Sequence, residues 1–225
     1  MSTDWIPKEG LIRRAYEFAD RAHGDIKRLR GEPYIDHCVE VAKYVSDWSL
    51  GETAIAAALL HDVVEDTEYT LEDIEKEFGP EIASLVDGLT KIETMEYPEK
   101  ADSESLRKIL ISSAKDLRIL LIKLADRLSN MGTLEFLPLE RQKKYAWETA
   151  EIYAPLAYRL GMQKLSGDLE DMAFPFIYPD EYKWLTEEVK DDYSERQKYA
   201  QKVVPIVMKA LKEHKIEPIS IDSRA

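Results

Sequence analysis

One stretch constrains this chain more than any other: Ala56-Ala57-Ala58-Leu59-Leu60-His61-Asp62-Val63-Val64-Glu65-Asp66-Thr67. An apolar run delivers an adjacent His-Asp pair and then an adjacent Glu-Asp pair. A single helix over 51–64 is the expectation. Positions four apart share a helix face, so Glu65 falls one turn beyond His61 and Asp66 one turn beyond Asp62. A helix apolar on every side has to be buried, and the rest of the chain must wrap around it. Four ionisable groups then sit at the edge of a core. Clustered carboxylates repel, and a divalent cation is the simplest thing that would hold them together. The competing reading is a solvated helix end, for which a lone His-Asp dipeptide is commonplace. The remaining segments have to decide between them.

Nearly every other segment has helical spacing. Leu11, Ala15, Phe18, Ala19 and Ala22 form one amphipathic stripe, ended by His23-Gly24. A short basic loop follows, from Asp25 through Lys27, Arg28 and Arg30 to Gly31. It is either a solvated connector or a contact for an anion. Pro33 suits the first position of the next helix, which carries His37, Val41 and Val45 on one face. Thr70 and Asp73 form a capping box, Gly79 ends that helix and Pro80 starts another. Segment 92–103 reads as a loop, either a surface connector or a flap near the site, and 105–114 as a helix. The run from Asp116 to Met131 is apolar on most sides yet contains Asp126, with Asn130 and Thr133 on the same face. That carboxylate either pairs with Lys123 or Arg127, or ligates a metal. A helix over 138–154 leads to Pro155, Leu160-Gly161 is a stop, and 165–174 is helical. Segment 181–214 reads as a long amphipathic helix outside the main core, carrying Tyr199, Val203, Val207 and Leu211. The alternation in 216–221 is the one candidate strand. The expectation is an all-α bundle over 1–180 with a helical extension over 181–225.

A net charge of −13 argues against broad electrostatic binding to nucleic acid or an anionic membrane. An anionic substrate would need a local basic patch or a metal. No apolar run is long enough for a membrane span. The single cysteine, Cys38, allows no internal disulfide or multi-cysteine zinc site and fits a reducing cytoplasm. Oligomeric state is not legible.

His37, His61, Asp62 and Asp126 are the candidate ligands. Two imidazoles and two carboxylates suit one divalent ion with positions left for water and a phosphate oxygen. The donor set is compatible with manganese, magnesium, iron or zinc. Such an ion lowers the pKa of a bound water and polarises a phosphoryl group. Glu65 and Asp66, one turn away, are placed to orient or deprotonate that water.

The pattern H…HD…D resembles the HD phosphohydrolase superfamily. Within it, Arg30-Gly31-Glu32-Pro33-Tyr34-Ile35-Asp36-His37, Ala58–Thr67, Asp87-Gly88-Leu89-Thr90-Lys91, Ile122–Leu128 and Ile152–Met162 resemble the RelA/SpoT family, collinearly from Leu11 to about Tyr182. The resemblance implies an HD-domain helix bundle that hydrolyses the alarmone (p)ppGpp, removing the 3′-pyrophosphate to leave GDP or GTP. It implies Mn²⁺ on the residues matching His37, His61, Asp62 and Asp126. Glu65 and Asp66 would serve the hydrolytic water, Arg28 would pack on guanine, and Asn130 and Thr133 would hold the ribose and phosphate side. It also likens 195–216 to a linker leading to a synthetase domain.

The chain departs from that pattern at three places. Leu29, Ser129 and Gly132 stand where the family commonly carries Lys, His and Arg. These changes spare the ligand set but touch the substrate side, where Arg30 supplies a charge of its own. Two alternatives follow: an HD phosphohydrolase of another nucleotide, or a non-catalytic regulatory half of a long stringent factor. Degenerate regulatory halves lack the His-Asp or Glu-Asp pairs, and this chain keeps both.

Overall fold

The computed structural model describes residues 2–93, 116–188 and 190–218. The chain is helical, and among the described residues the β pairing is limited to one isolated antiparallel bridge, Lys27 to Pro33. The helices are α1 (Leu11–His23), α2 (Tyr34–Asp47), α3 (Glu52–Leu60), α4 (Val63–Asp66), α5 (Leu71–Phe78), α6 (Pro80–Glu93), α7 (Leu117–Met131), α8 (Leu139–Glu148), α9 (Ala154–Arg159), α10 (Gln163–Ile177), α11 (Pro179–Glu188) and α12 (Lys190–Glu213). They fall into two compact units, Met1–Ile177 and Tyr178–Ala225.

In the first unit α3 is the axis. Every residue from Ala54 to Leu60 is buried. Its alanines let α1, α2, α6 and α7 pack directly against it, while Leu59 and Leu60 each gain about 1.5–3 kcal/mol from leaving water. The single helix expected over 51–64 is broken. The His61 ring nitrogen Nδ1 lies 2.8 Å from the carbonyl oxygen of Ala58. That carbonyl is the one the Asp62 amide would need for the helix to continue. Helix α3 therefore stops at Leu60, and a new turn starts from Asp62, whose carbonyl accepts the amides of Glu65 at 3.2 Å and Asp66 at 2.9 Å.

Helix α7 is a wall between two apolar clusters. Ile119, Ile122 and Ala125 face the cluster built on α1–α3 and α6. Leu120, Leu124 and Met131 face the one built on α8–α10. Between α8 and α9 the chain makes a π turn, Thr149–Tyr153, in which the Ala154 amide reaches back to the Thr149 carbonyl. The looser turn carries the helix into Pro155, which has no amide to donate. Gly161, at φ +80°, ends α9 as expected. The capping box at α5 forms, with the Asp73 amide on Thr70 Oγ1 at 3.3 Å and the Thr70 amide on Asp73 Oδ2 at 2.9 Å. Pro33 lies just before α2 rather than inside it.

The second unit holds α11 and α12, with Val189 between them outside the described residues. The expected stripe on α12 is open to solvent at Tyr199, which is 71% exposed. Residues 216–218 are irregular, and the remainder of the candidate strand lies outside the described residues. The helix over 105–114 and most of the loop over 92–103 lie outside them too, while Ile92 and Glu93 belong to α6. No helix among the described residues is long and apolar enough to cross a membrane.

Candidate metal centre

Three elements meet at one point. The loop before α2 folds back on itself, with the Arg28 amide on the Glu32 carbonyl at 3.0 Å and the Tyr34 amide on the Ile26 carbonyl at 2.9 Å. It fixes the start of α2 and hence Tyr34 and His37. The break after α3 supplies His61 and Asp62. Helix α7 supplies Lys123, Asp126 and Asn130, which share one face at spacings of three and four.

Ligand-type atoms of His37, His61 and Asp126 all lie within 4.8 Å of one another, and the three residues are buried. His37 Nε2 is 3.2 Å from Asp126 Oδ1 and 3.6 Å from Asp62 Oδ2. His61 Nε2 is 3.1 Å from Asp62 Oδ2 and 3.8 Å from Asp126 Oδ1. It is fully buried and makes no well-formed hydrogen bond. Both rings have Nδ1 engaged on the outside, His37 with Ser129 Oγ at 2.9 Å and His61 with the Ala58 carbonyl. Both therefore turn Nε2 toward the carboxylates. An orphaned imidazole nitrogen facing two carboxylates, beside a second imidazole, fits a divalent cation.

The carboxylates are held ionised from outside. Burial pushes the Asp126 carboxyl up, and the Lys123 ammonium, 2.7 Å from Oδ2, together with His37 and His61 outweighs it, so its pKa falls well below the usual carboxylate range. The Asn130 amide donates to Asp126 Oδ1 at 2.6 Å. Asp62 is also held low against the burial penalty, chiefly by His61, and accepts the Tyr34 hydroxyl on Oδ2 at 2.8 Å. Burial pushes the Tyr34 phenol up, so it stays a donor. Burial lowers the His37 pKa, which keeps its lone pair free. Tyr34 in turn stacks on the buried His23, with ring centroids 4.6 Å apart.

Beside this cluster the surface is hollow. One cavity, of about 510 Å³, is lined by Arg28, Arg30, His37, Glu40, Ser129 and Gly132 among others. A second, of about 350 Å³, adds Leu29, Tyr34, Asn130, Phe136 and Tyr145. Arg28, Arg30, Glu32 and Thr133 line both. The Arg28 guanidinium donates to Asn130 Oδ1 and lies over the Tyr34 ring at 5.7 Å, so Asn130 ties Arg28 to Asp126. This is the local basic patch that a chain of net charge −13 requires for an anionic ligand.

The model of the HD domain matches residues 15–163. The chain belongs to the HD-domain family. The RelA/SpoT resemblance carried by the motifs is borne out by the relatives. The guanosine-3′,5′-bis(diphosphate) 3′-pyrophosphohydrolase of Aquifex aeolicus is 45% identical over 207 residues, covering 92% of this chain and 30% of that protein. The GTP pyrophosphokinase of Streptomyces coelicolor is 44% identical, covering 92% and 24%. The chain thus spans a quarter to a third of the length of these curated relatives. Among solved structures, a metazoan ortholog of SpoT, described as hydrolysing ppGpp, aligns with a TM-score of 0.52 at 27% identity, over 74% of this chain and 95% of that one.

The first unit brings the four candidate ligands to one point. His37, His61, Asp62 and Asp126 converge. Glu65 and Asp66 lie on α4 and are exposed. Arg28, Asn130 and Thr133 line the cavities, although Thr133 lies beyond the end of α7 rather than on its face. Sequence reasoning missed Tyr34 and Glu40 as partners of the cluster, and saw Ser129 only as a departure. Tyr34 and Glu40 stand three residues either side of His37, a spacing that a search of its helix face would have caught.

Proposed function

We propose that this HD domain hydrolyses (p)ppGpp at the 3′-pyrophosphate, with one Mn²⁺ held by His37, His61, Asp62 and Asp126. The observation that carries the reading is the orphaned His61 Nε2 converging with His37 and Asp126 beside a cavity whose cation, Arg28, is hydrogen-bonded into the cluster. The identity to the Aquifex aeolicus enzyme supports the choice of substrate. A divalent cation there supplies a Lewis acid for the phosphoryl oxygens and lowers the pKa of water. Glu65 and Asp66, both open to solvent, are the groups that accept the proton of the attacking water. The water oxygen bonds to the phosphorus carried on O3′, the P–O3′ bond breaks, and O3′ takes up a proton. GDP or GTP and pyrophosphate leave. Arg28 stacks on the guanine, and Asn130 and Thr133 hold the ribose and phosphate side. The buried single thiol of Cys38 accords with a cytoplasmic site of action.

The open cavity at Ser129 and Gly132 favours a second reading, a different nucleotide substrate. Product analysis separates the two. With ppGpp, chromatography is expected to give GDP and pyrophosphate in equal amounts. His61→Ala or Asp62→Ala should abolish that release while circular dichroism stays helical. Glu65→Gln should lower kcat more than it weakens Mn²⁺ binding. Turnover of another nucleotide in a panel, with ppGpp untouched, would move the assignment to the second reading.

A further inference from the structure

The two histidines are held in place by different means. His61 rests on a backbone carbonyl, which any side chain at position 58 would supply. His37 rests on a side chain of α7, Ser129, which is held in turn by Glu40 of α2. Its Nδ1 lies 2.9 Å from Ser129 Oγ, and Ser129 Oγ donates to Glu40 Oε2 at 2.6 Å. The Tyr44 hydroxyl reaches the other oxygen, Glu40 Oε1, at 3.5 Å. His37 and Ser129 are 3% and 2% exposed.

A serine hydroxyl carries one proton. The short contact to an ionised carboxylate, which can only accept, commits that proton to Glu40. Ser129 Oγ then has only lone pairs to offer His37, so the shared hydrogen of that contact must come from Nδ1. The direction of the whole chain is set: His37 Nδ1–H to Ser129 Oγ–H to the Glu40 carboxylate. The Nε2 lone pair is left on the side of Asp62 and Asp126.

We infer that Ser129 and Glu40 are positioning residues, a hydroxyl–carboxylate pair that locks His37 in the Nδ1–H tautomer and thereby sets the affinity of the cluster for its cation. Outer partners of ligating histidines typically govern metal affinity by about 10–100-fold. This pair can be broken at two separate points. Without the serine hydroxyl, His37 Nδ1 loses its acceptor. Without the carboxylate, the hydroxyl is free to turn and donate to Nδ1, which drives the ring proton onto Nε2, where it blocks a cation. Both residues line the larger cavity, so the space to accept a slightly larger side chain at 129 is present.

The inference rests on the cation reading above, and its test separates the two. Two quantities are read on the metal-free and titrated protein without any turnover: Mn²⁺ affinity, from the loss of the free-ion electron paramagnetic resonance signal, and the His37 tautomer, from ¹⁵N–¹H correlation of the imidazoles. The expected results are Nδ1–H at His37 in the wild type, a Kd for Mn²⁺ raised about tenfold or more in Ser129→Ala and Glu40→Ala, a shift toward Nε2–H in Glu40→Ala, and near wild-type affinity restored in Ser129→Thr. Wild-type Mn²⁺ affinity in Ser129→Ala with Nδ1–H retained would overturn the positioning role, as would Nε2–H in the wild type. His61→Ala is the control for the cation itself. Mn²⁺ binding undiminished in His61→Ala, or absent in the wild type, would overturn the cation reading and the inference with it.

Discussion

Asp126 receives a neighbour on each of its oxygens, Lys123 on Oδ2 and Asn130 on Oδ1, and Oδ1 is also the atom that faces both histidines. A buried carboxylate without such partners is costly, and removing one member of a buried pair typically costs about 3–5 kcal/mol. Lys123→Met keeps most of the volume and removes the charge. The metal-free variant should therefore unfold at markedly lower denaturant than the wild type. A cation on the opposite oxygen compensates the same carboxylate, so saturating Mn²⁺ should narrow the gap. A gap of unchanged width would mean that no cation reaches Asp126. His61, Asp62 and Asp126 were legible in the sequence because polar groups inside apolar helices have to be explained. Ser129 with Glu40, and Arg28 with Asn130, were not legible as pairs. Their partners lie 89 and 102 residues apart, and only tertiary packing joins them.

The same division holds among the elements. Helix α1, the α5 cap, the stop at Gly161 and the burial of α7 follow from local pattern and were legible. The break between α3 and α4 was not, because an unbroken apolar period runs through it and the cause is a side chain competing for a backbone carbonyl. The close approach of α6 to α7 was equally hidden. A Cβ on Gly88 would run into Ile119 Cδ1 and lie 3.1 Å from its Cγ1. Gly88→Ala gains about 1 kcal/mol in helix propensity and loses about 1–3 kcal/mol to overpacking. A lowered melting temperature is the expected result, and a raised one would show the two helices to be further apart. At the start of α7, Asp116 caps the Arg118 amide at 2.9 Å, and the Arg118 guanidinium holds the carboxyl below its usual range. A depressed carboxyl stabilises the fold above its unfolded pKa of about 4, and that contribution is lost as pH falls through the folded value. Asp116→Asn should flatten the acid limb of the stability profile below about pH 4 and leave its shape at neutral pH unchanged.

At the scale of the whole molecule, an acidic chain sets three positive side chains, Lys27, Arg28 and Arg30, on the hollows next to the buried ligand cluster. That arrangement gives a chain of charge −13 a local place for the polyanionic nucleotide proposed as its substrate. The attraction is local, so ionic strength should act on KM more than on kcat. The most direct measurement is hydrolysis of ppGpp by protein stripped of metal, with and without added Mn²⁺, reading GDP and pyrophosphate together. Release of both on adding Mn²⁺, and none without it or in His61→Ala, is the predicted result. Equal release by the stripped protein, or no release from a protein that demonstrably binds Mn²⁺, would contradict the account.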